Sequence, residues 1–413
     1  MHRRPEATAG PKGPSSGVGA RRQGGGRWSL DGHVAEAHAE GMLGSVIDVF
    51  RLRQYFNVVT TTRQLAEGVR EDAGLLDDAR RALVRLPWER RPRPVPGPFP
   101  PAKSLELPGL RRRRLALMAT GGSGALASIV GAARALEEAG IRPSVISLCS
   151  GSSIFGFPLG AGLRAEDVAA FALGLAPEDY VDVDWRLLAS VVPTGGRGFA
   201  GVIRGERIER TYRRLLGDMR LGDLAIPTYA PVWSIEENRL EYIGPRTHPD
   251  LPVARAVRMS IALPLFIEPV ELDGNHWCDG GIVDIFPVRP VLDIEEPCDA
   301  ALAVNAFYPP RFAGEDATGW ERRRASIVYA AAQVRTCQQV ELARTNLERL
   351  EQHVQVAMIE PVPYATVRGA GFYRQFLNTS AWASFMQAGR RDARRALRGL
   401  PGALEDAPAV RAS

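Results

Sequence analysis

Lysine is nearly absent from this sequence. Lys12 and Lys103 are the only two, so 50 of the 52 basic residues (52 minus 2) are arginine. Against 47 acidic residues the formal net charge is +5. The arginines are scattered rather than striped with aromatics, which argues against a nucleic-acid partner. The balance reads as a solvated basic surface, with peripheral attraction to anionic lipid headgroups as the functional alternative. Cysteine is scarce too: Cys149, Cys278, Cys298 and Cys337, none in a C-x-x-C pair. That excludes the familiar zinc and redox motifs and points to free thiols in a reducing compartment, with an approach of Cys149 to Cys278 left open. Residues 1–30 lack the apolar core of a secretion signal, so a cytoplasmic protein is expected. The uncharged run Leu115 to Ala133 is broken by Gly121-Gly122-Ser123-Gly124. It reads as strand, loop and helix rather than a membrane span.

What is present divides the chain. Residues 1–30 are rich in Gly and Arg and read as a disordered tail. Residues 31–86 carry apolar positions at helical spacing, over 34–56 and again over 62–86, and read as a helical extension. Residues 87–110 hold eight prolines and read as a stiff linker. A compact domain is expected over 111–400, with a tail at 401–413. Within the domain, Leu115 to Ala119 is a buried strand, Ala125 to Ala139 a helix, and Ser144 to Leu148 a second strand. Helices are expected at Ala165 to Leu173, Trp185 to Val191, Glu206 to Leu216 and Pro252 to Met259. Strands are expected at Thr228 to Ile235, Leu240 to Ile243, Phe266 to Leu272 and His276 to Cys278, with a hairpin turn at Asp273-Gly274-Asn275. The β-loop-α-β order argues for an α/β fold on a parallel sheet, whose functional groups lie beyond the carboxyl ends of the strands.

Three stretches carry chemistry. In Leu148 to Gly156 an apolar strand runs into Gly151 and two serines. That suits a nucleophile elbow, and Gly151-x-Ser153 makes Ser153 the expected nucleophile, with Phe155 in place of the final glycine of G-x-S-x-G. The loop Gly121-Gly122-Ser123-Gly124 offers successive main-chain amides for an oxyanion; it fits no dinucleotide or P-loop pattern. Asp279-Gly280-Gly281 holds a carboxylate in a turn at a strand end. A serine hydroxyl needs a base. Of six histidines only His353 follows Asp279, in a charged helix, so a Ser/Asp pair fits better than a triad.

These pieces together resemble the patatin-like phospholipases: Gly121 to Gly124, Gly151-Ser152-Ser153 and Asp279-Gly280-Gly281, flanked by Arg134 to Ile141 and Ala256 to Val288. The resemblance implies a three-layer α/β/α domain around a mostly parallel sheet. It implies a lipid acyl hydrolase using Ser153 as nucleophile, Asp279 as base and loop amides as oxyanion hole, with no metal and no cofactor. Gly151, Gly280 and Gly281 would be the supporting turns. The loop departs from the family at Ser123, and at Ala125 and Leu126, where a basic residue and a glycine usually stand. Two rivals stay open: a lipid-binding protein that has lost activity, suggested by Phe155 and the basic helix Trp382 to Leu397, and an acyltransferase using the same pair.

Overall fold

The computed structural model describes residues 97–183, 200–314, 327–368 and 370–404. The expected tail, N-terminal helices and Trp185 to Val191 helix lie outside them. Strand β1 (Leu115–Ala119) is apolar at every position and wholly buried. Alternate side chains of a strand point to opposite faces. Accordingly Leu115, Leu117 and Ala119 join one core, while Ala116 and Met118 join another. A strand buried on both faces belongs in the middle of a parallel sheet.

The first core is closed by α1 (Ser128–Glu138), α2 (Ser152–Gly160) and α3 (Ala165–Gly174). The second is closed by the 25-residue helix Ile327–Glu351, through Val340, Ala343, Leu347 and Leu350. Helices on both faces of one sheet make the α/β/α layering. The sheet has eight strands: β1, β2 (Val145–Ser147), β4 (Thr228–Ser234), β5 (Arg239–Ile243), β7 (Val270–Leu272), β8 (Asn275–Asp279), β9 (Ala300–Val304) and β10 (Gln355–Ile359). Their order is β10-β9-β1-β2-β4-β8-β7, with β5 also on β4. The pairs from β10 to β4 are parallel, and those of β4 with β5 and β8 are antiparallel.

The expected strand Phe266 to Leu272 is two strands. Pro269 has no N–H to give to a ladder. It separates β6 (Leu265–Ile267), which pairs with β3 (Gly201–Ile203) in a small parallel sheet, from β7. The helix after β3, α4 (Glu206–Leu216), has the expected bounds, and α5 (Val253–Ser260) precedes β6. Within the described part of the proline-rich stretch, Leu105, Leu107 and Leu110 are buried in the core.

With Ile327–Glu351 as α6, the last two long helices are α7 (Ala370–Leu377) and α8 (Trp382–Arg398). The basic helix α8 is not free to lie on a membrane with its apolar side. Trp382, Phe385, Met386 and Leu397 are buried in the first core. Arg390 bonds Glu138 at 2.9 Å, and Arg394 pairs with the same buried carboxylate. A buried carboxylate needs such partners to stay charged.

Candidate active site

β2 stops at Ser147 and α2 starts at Ser152. The four residues between make a sharp turn whose tip is Ser150, with φ 51°. A left-handed backbone costs a non-glycine residue about 1–2 kcal/mol, and such strain marks the serine of a nucleophile elbow. The Ser152 hydroxyl closes the turn, accepting from the Cys149 N–H at 2.7 Å and donating to the Cys149 carbonyl at 2.8 Å. Gly151 touches the glycine loop: a Cβ there would stand 2.2 Å from the Gly122 carbonyl oxygen.

Ser153 lies beyond the tip, in the first turn of α2, with its N–H bonded to the Ser150 carbonyl. It is fully buried, and its hydroxyl shares a 2.7 Å hydrogen bond with Ser260 at the end of α5. The expected nucleophile Ser153 therefore sits behind the turn, and the serine at its tip is Ser150, which keeps 8% exposure. Around Ser150 the two glycine positions of G-x-S-x-G are Leu148 and Ser152, so pattern matching slid three residues on, to Gly151-x-Ser153. Phe155 is no plug. Its ring is buried edge-on against Trp382, centroids 5.1 Å apart.

Asp279 ends β8. The hairpin Asp273-Gly274 that starts this strand has φ 53° and 79°, as its sequence predicts. Asp279 pairs with Val232 of β4, while Ser147 of β2 pairs with Tyr229. Three residues of strand span about 10 Å, so the tip of β2 and the end of β8 are neighbours. A Cβ on Gly281 would stand 2.7 Å from Cys149 Sγ and 3.0 Å from Asp279 Oδ1. The Gly281 N–H donates to that Oδ1 at 2.8 Å. Burial pushes the Asp279 carboxyl up to about 7, against the pull of hydrogen bonds from the Ser150 side chain and the Gly281 amide. The hydroxyl that meets Asp279 is thus that of Ser150.

The turn is braced from α6, which sequence reasoning missed. Gln339 Nε2 donates to the Gly281 carbonyl at 2.6 Å. Asn346, two turns on, donates to Asp284 at 3.0 Å and to the Phe286 carbonyl at 2.9 Å. Asp284 is also bonded by the Tyr242 hydroxyl, and its carboxyl is raised by burial. No spacing rule connects these residues to a turn more than 50 positions away. Cys149 is buried among these carboxylates. Burial first, then Asp279 and Asp284, push its thiol well up, which leaves it unreactive.

The glycine loop divides by role. The Gly121 N–H is taken by the Ile285 carbonyl at 2.9 Å, so Gly121 has no amide to offer. Gly124 packs against the Gln375 carbonyl and the Trp382 indole nitrogen. The Gly122 and Ser123 amides make no hydrogen bond among the described residues, and these two lie against Gly151. The loop and the turn thus meet at Gly151, the residue that follows Ser150.

The sequence and the fold are similar to those of known proteins. Residues 117–292 match the model of the patatin-like phospholipases. That stretch contains the glycine loop, the elbow and Asp279. An uncharacterized NTE family protein of Mycobacterium tuberculosis is 28% identical over 208 residues, 50% of this chain and 53% of that protein. The chain thus spans about half the length of that relative. Lysophospholipase NTE1 of Cryptococcus neoformans is 25% identical over 246 residues, 57% of this chain and 14% of that protein. Among solved structures, VipD from Legionella pneumophila is similar at 16% identity and a TM-score of 0.39, covering 69% of this chain and 67% of that one. Human GIVD cytosolic phospholipase A2 is similar at 10% identity and a TM-score of 0.32, covering 82% and 68%. Over residues 117–292 the chain is thus similar to the patatin-like phospholipases.

Proposed function

We propose that this protein is a serine hydrolase of lipid acyl esters, with Ser150 as nucleophile and Asp279 as its base. The observation that carries the reading is Ser150 itself: a left-handed tip residue whose hydroxyl meets a buried carboxylate. Ser150 Oγ attacks the ester carbonyl and its proton passes to Asp279. The carbonyl π electrons move to oxygen, where the Gly122 and Ser123 amides receive the negative charge. Collapse breaks the bond to the alcohol, which leaves with the proton from Asp279. Water, deprotonated by the same carboxylate, then releases the fatty acid. A base near pH 7 is well matched to this two-way traffic, because it accepts and returns a proton at similar cost.

The lipid part of the reading comes from the family and from a fungal relative named as a lysophospholipase. A lysophospholipid is therefore the first natural ester to offer. The test is hydrolysis of p-nitrophenyl butyrate and of lysophosphatidylcholine by the purified protein. Ser150→Ala should abolish both, while Ser153→Ala keeps turnover within about tenfold and loses about 1 kcal/mol of stability with the Ser260 bond. Loss in Ser153→Ala with activity kept in Ser150→Ala would refute the assignment. Vesicle binding without turnover would make the protein a binder.

A further inference from the structure

Ser123 is the one loop residue with a polar side chain, in Gly121-Gly122-Ser123-Gly124-Ala125-Leu126. Its hydroxyl is buried, at 4% residue exposure, and has no hydrogen-bond partner among the described residues. Buried hydroxyls are almost always paired, because an unpaired one forfeits its bonds to water with no return. Nearby serines show the ordinary outcome: Ser128 bonds the Ala125 carbonyl at 2.8 Å, and Ser147 bonds the Pro287 carbonyl at 2.6 Å. Ser123 does not cap the short turn that follows it either. Three donors in succession, the Gly122 N–H, the Ser123 N–H and the Ser123 O–H, thus find no acceptor among the described residues, in a loop that lies against Gly151.

We propose that the Ser123 hydroxyl is a catalytic donor: it bonds the substrate carbonyl oxygen as that oxygen becomes negative, adding a side-chain donor to the two amides. The inference rests on the hydrolase reading above. During acylation the pair of electrons leaving the carbonyl π bond settles on this oxygen, and Ser123 donates a hydrogen bond to it without losing its proton. When the intermediate collapses the electrons return, the bond to the alcohol breaks, and the donor is released unchanged. The loop carries no charged side chain, so this hydroxyl is its only means of adding to the amides. An acceptor that exists fully only in the transition state also explains why the resting protein leaves the group unpaired.

The proposal makes two readouts move in opposite directions. Ser123→Ala removes a buried hydroxyl that bonds nothing, so the variant should melt at a higher temperature than the parent. Its kcat on p-nitrophenyl butyrate should fall about 100-fold, the loss typical of one oxyanion donor, with KM within about threefold. Phosphonylation of Ser150 by a fluorophosphonate, whose P=O oxygen occupies the same place, should slow in proportion. Ser123→Thr, which keeps the hydroxyl on an extended backbone (φ −110°, ψ −146°), should recover most of the rate. Unchanged kcat in Ser123→Ala, with Ser150→Ala inactive, would overturn the role of Ser123 and leave the hydrolase standing. No turnover by the unmodified protein would overturn both.

Discussion

Asp279 links stability to function in a way that can be measured directly. Its carboxyl titrates at about 7 in the folded protein against an ordinary value of 3.8. Each unit corresponds to about 1.4 kcal/mol, so ionised Asp279 costs the fold about 4 kcal/mol. Below pH 4 both folded and unfolded chains hold the proton and the cost is absent. From pH 4 to 7 the unfolded chain sheds its proton while the folded chain keeps it, so stability falls as pH rises. Above pH 7 both are ionised and the loss is complete. Asp279→Asn is neutral at every pH and keeps an oxygen for the Gly281 amide. The stability gap between Asp279→Asn and the parent should therefore widen by about 3 kcal/mol from pH 5 to pH 8. Thermal melts of both proteins across that range would read it as roughly 6–12 °C of added separation. A gap that stays constant with pH would refute a buried, high-titrating carboxyl. The parent's kcat/KM should meanwhile rise about tenfold per pH unit on the acid side and level off near pH 7.

Three further outcomes follow from contacts. Gly151→Ala drives a methyl into the Gly122 carbonyl oxygen, 2.2 Å away, and should cost about 1–3 kcal/mol and most of the turnover, read by melting and p-nitrophenyl ester assay. Ser150→Gly relieves the left-handed backbone but also deletes the hydrogen bond to Asp279, so stability should change by no more than about 1 kcal/mol while hydrolysis is abolished, read by melting and ester assay. Gln339→Leu leaves the Gly281 carbonyl unpaired and loosens the amide that holds Asp279. Its acid limb should shift to higher pH by roughly half a unit, a change that a purely structural helix contact would not produce.

Much of this was legible in the sequence, for physical reasons. Leu115 to Ala119 is apolar throughout because both its faces are covered. Asp273-Gly274 has the residues a tight hairpin demands, and it sets Asp279 at the end of its strand. The sequence pattern points to Ser153 rather than to the tip residue Ser150 because neither glycine position around Ser150 holds glycine. Leu148 and Ser152 occupy those positions, and the only glycine in the turn, Gly151, serves contact with the loop instead. The strand ends at Ser147, one residue before the expected Leu148, and the tip residue Ser150 precedes the first turn of α2. The sequence also offered Gly121 as an amide donor, and only a tertiary contact reveals that the Ile285 carbonyl takes its N–H. Gln339 and Asn346 were illegible because their partners are main-chain atoms of a distant turn.

The central claim is that the reactive hydroxyl sits on Ser150. Treating the purified protein with a fluorophosphonate and mapping the adduct by peptide mass spectrometry tests it most directly. The account predicts one modification, on Ser150, absent from Ser150→Ala and retained by Ser153→Ala. An adduct on Ser153, or none on either serine in an actively hydrolysing sample, would contradict it.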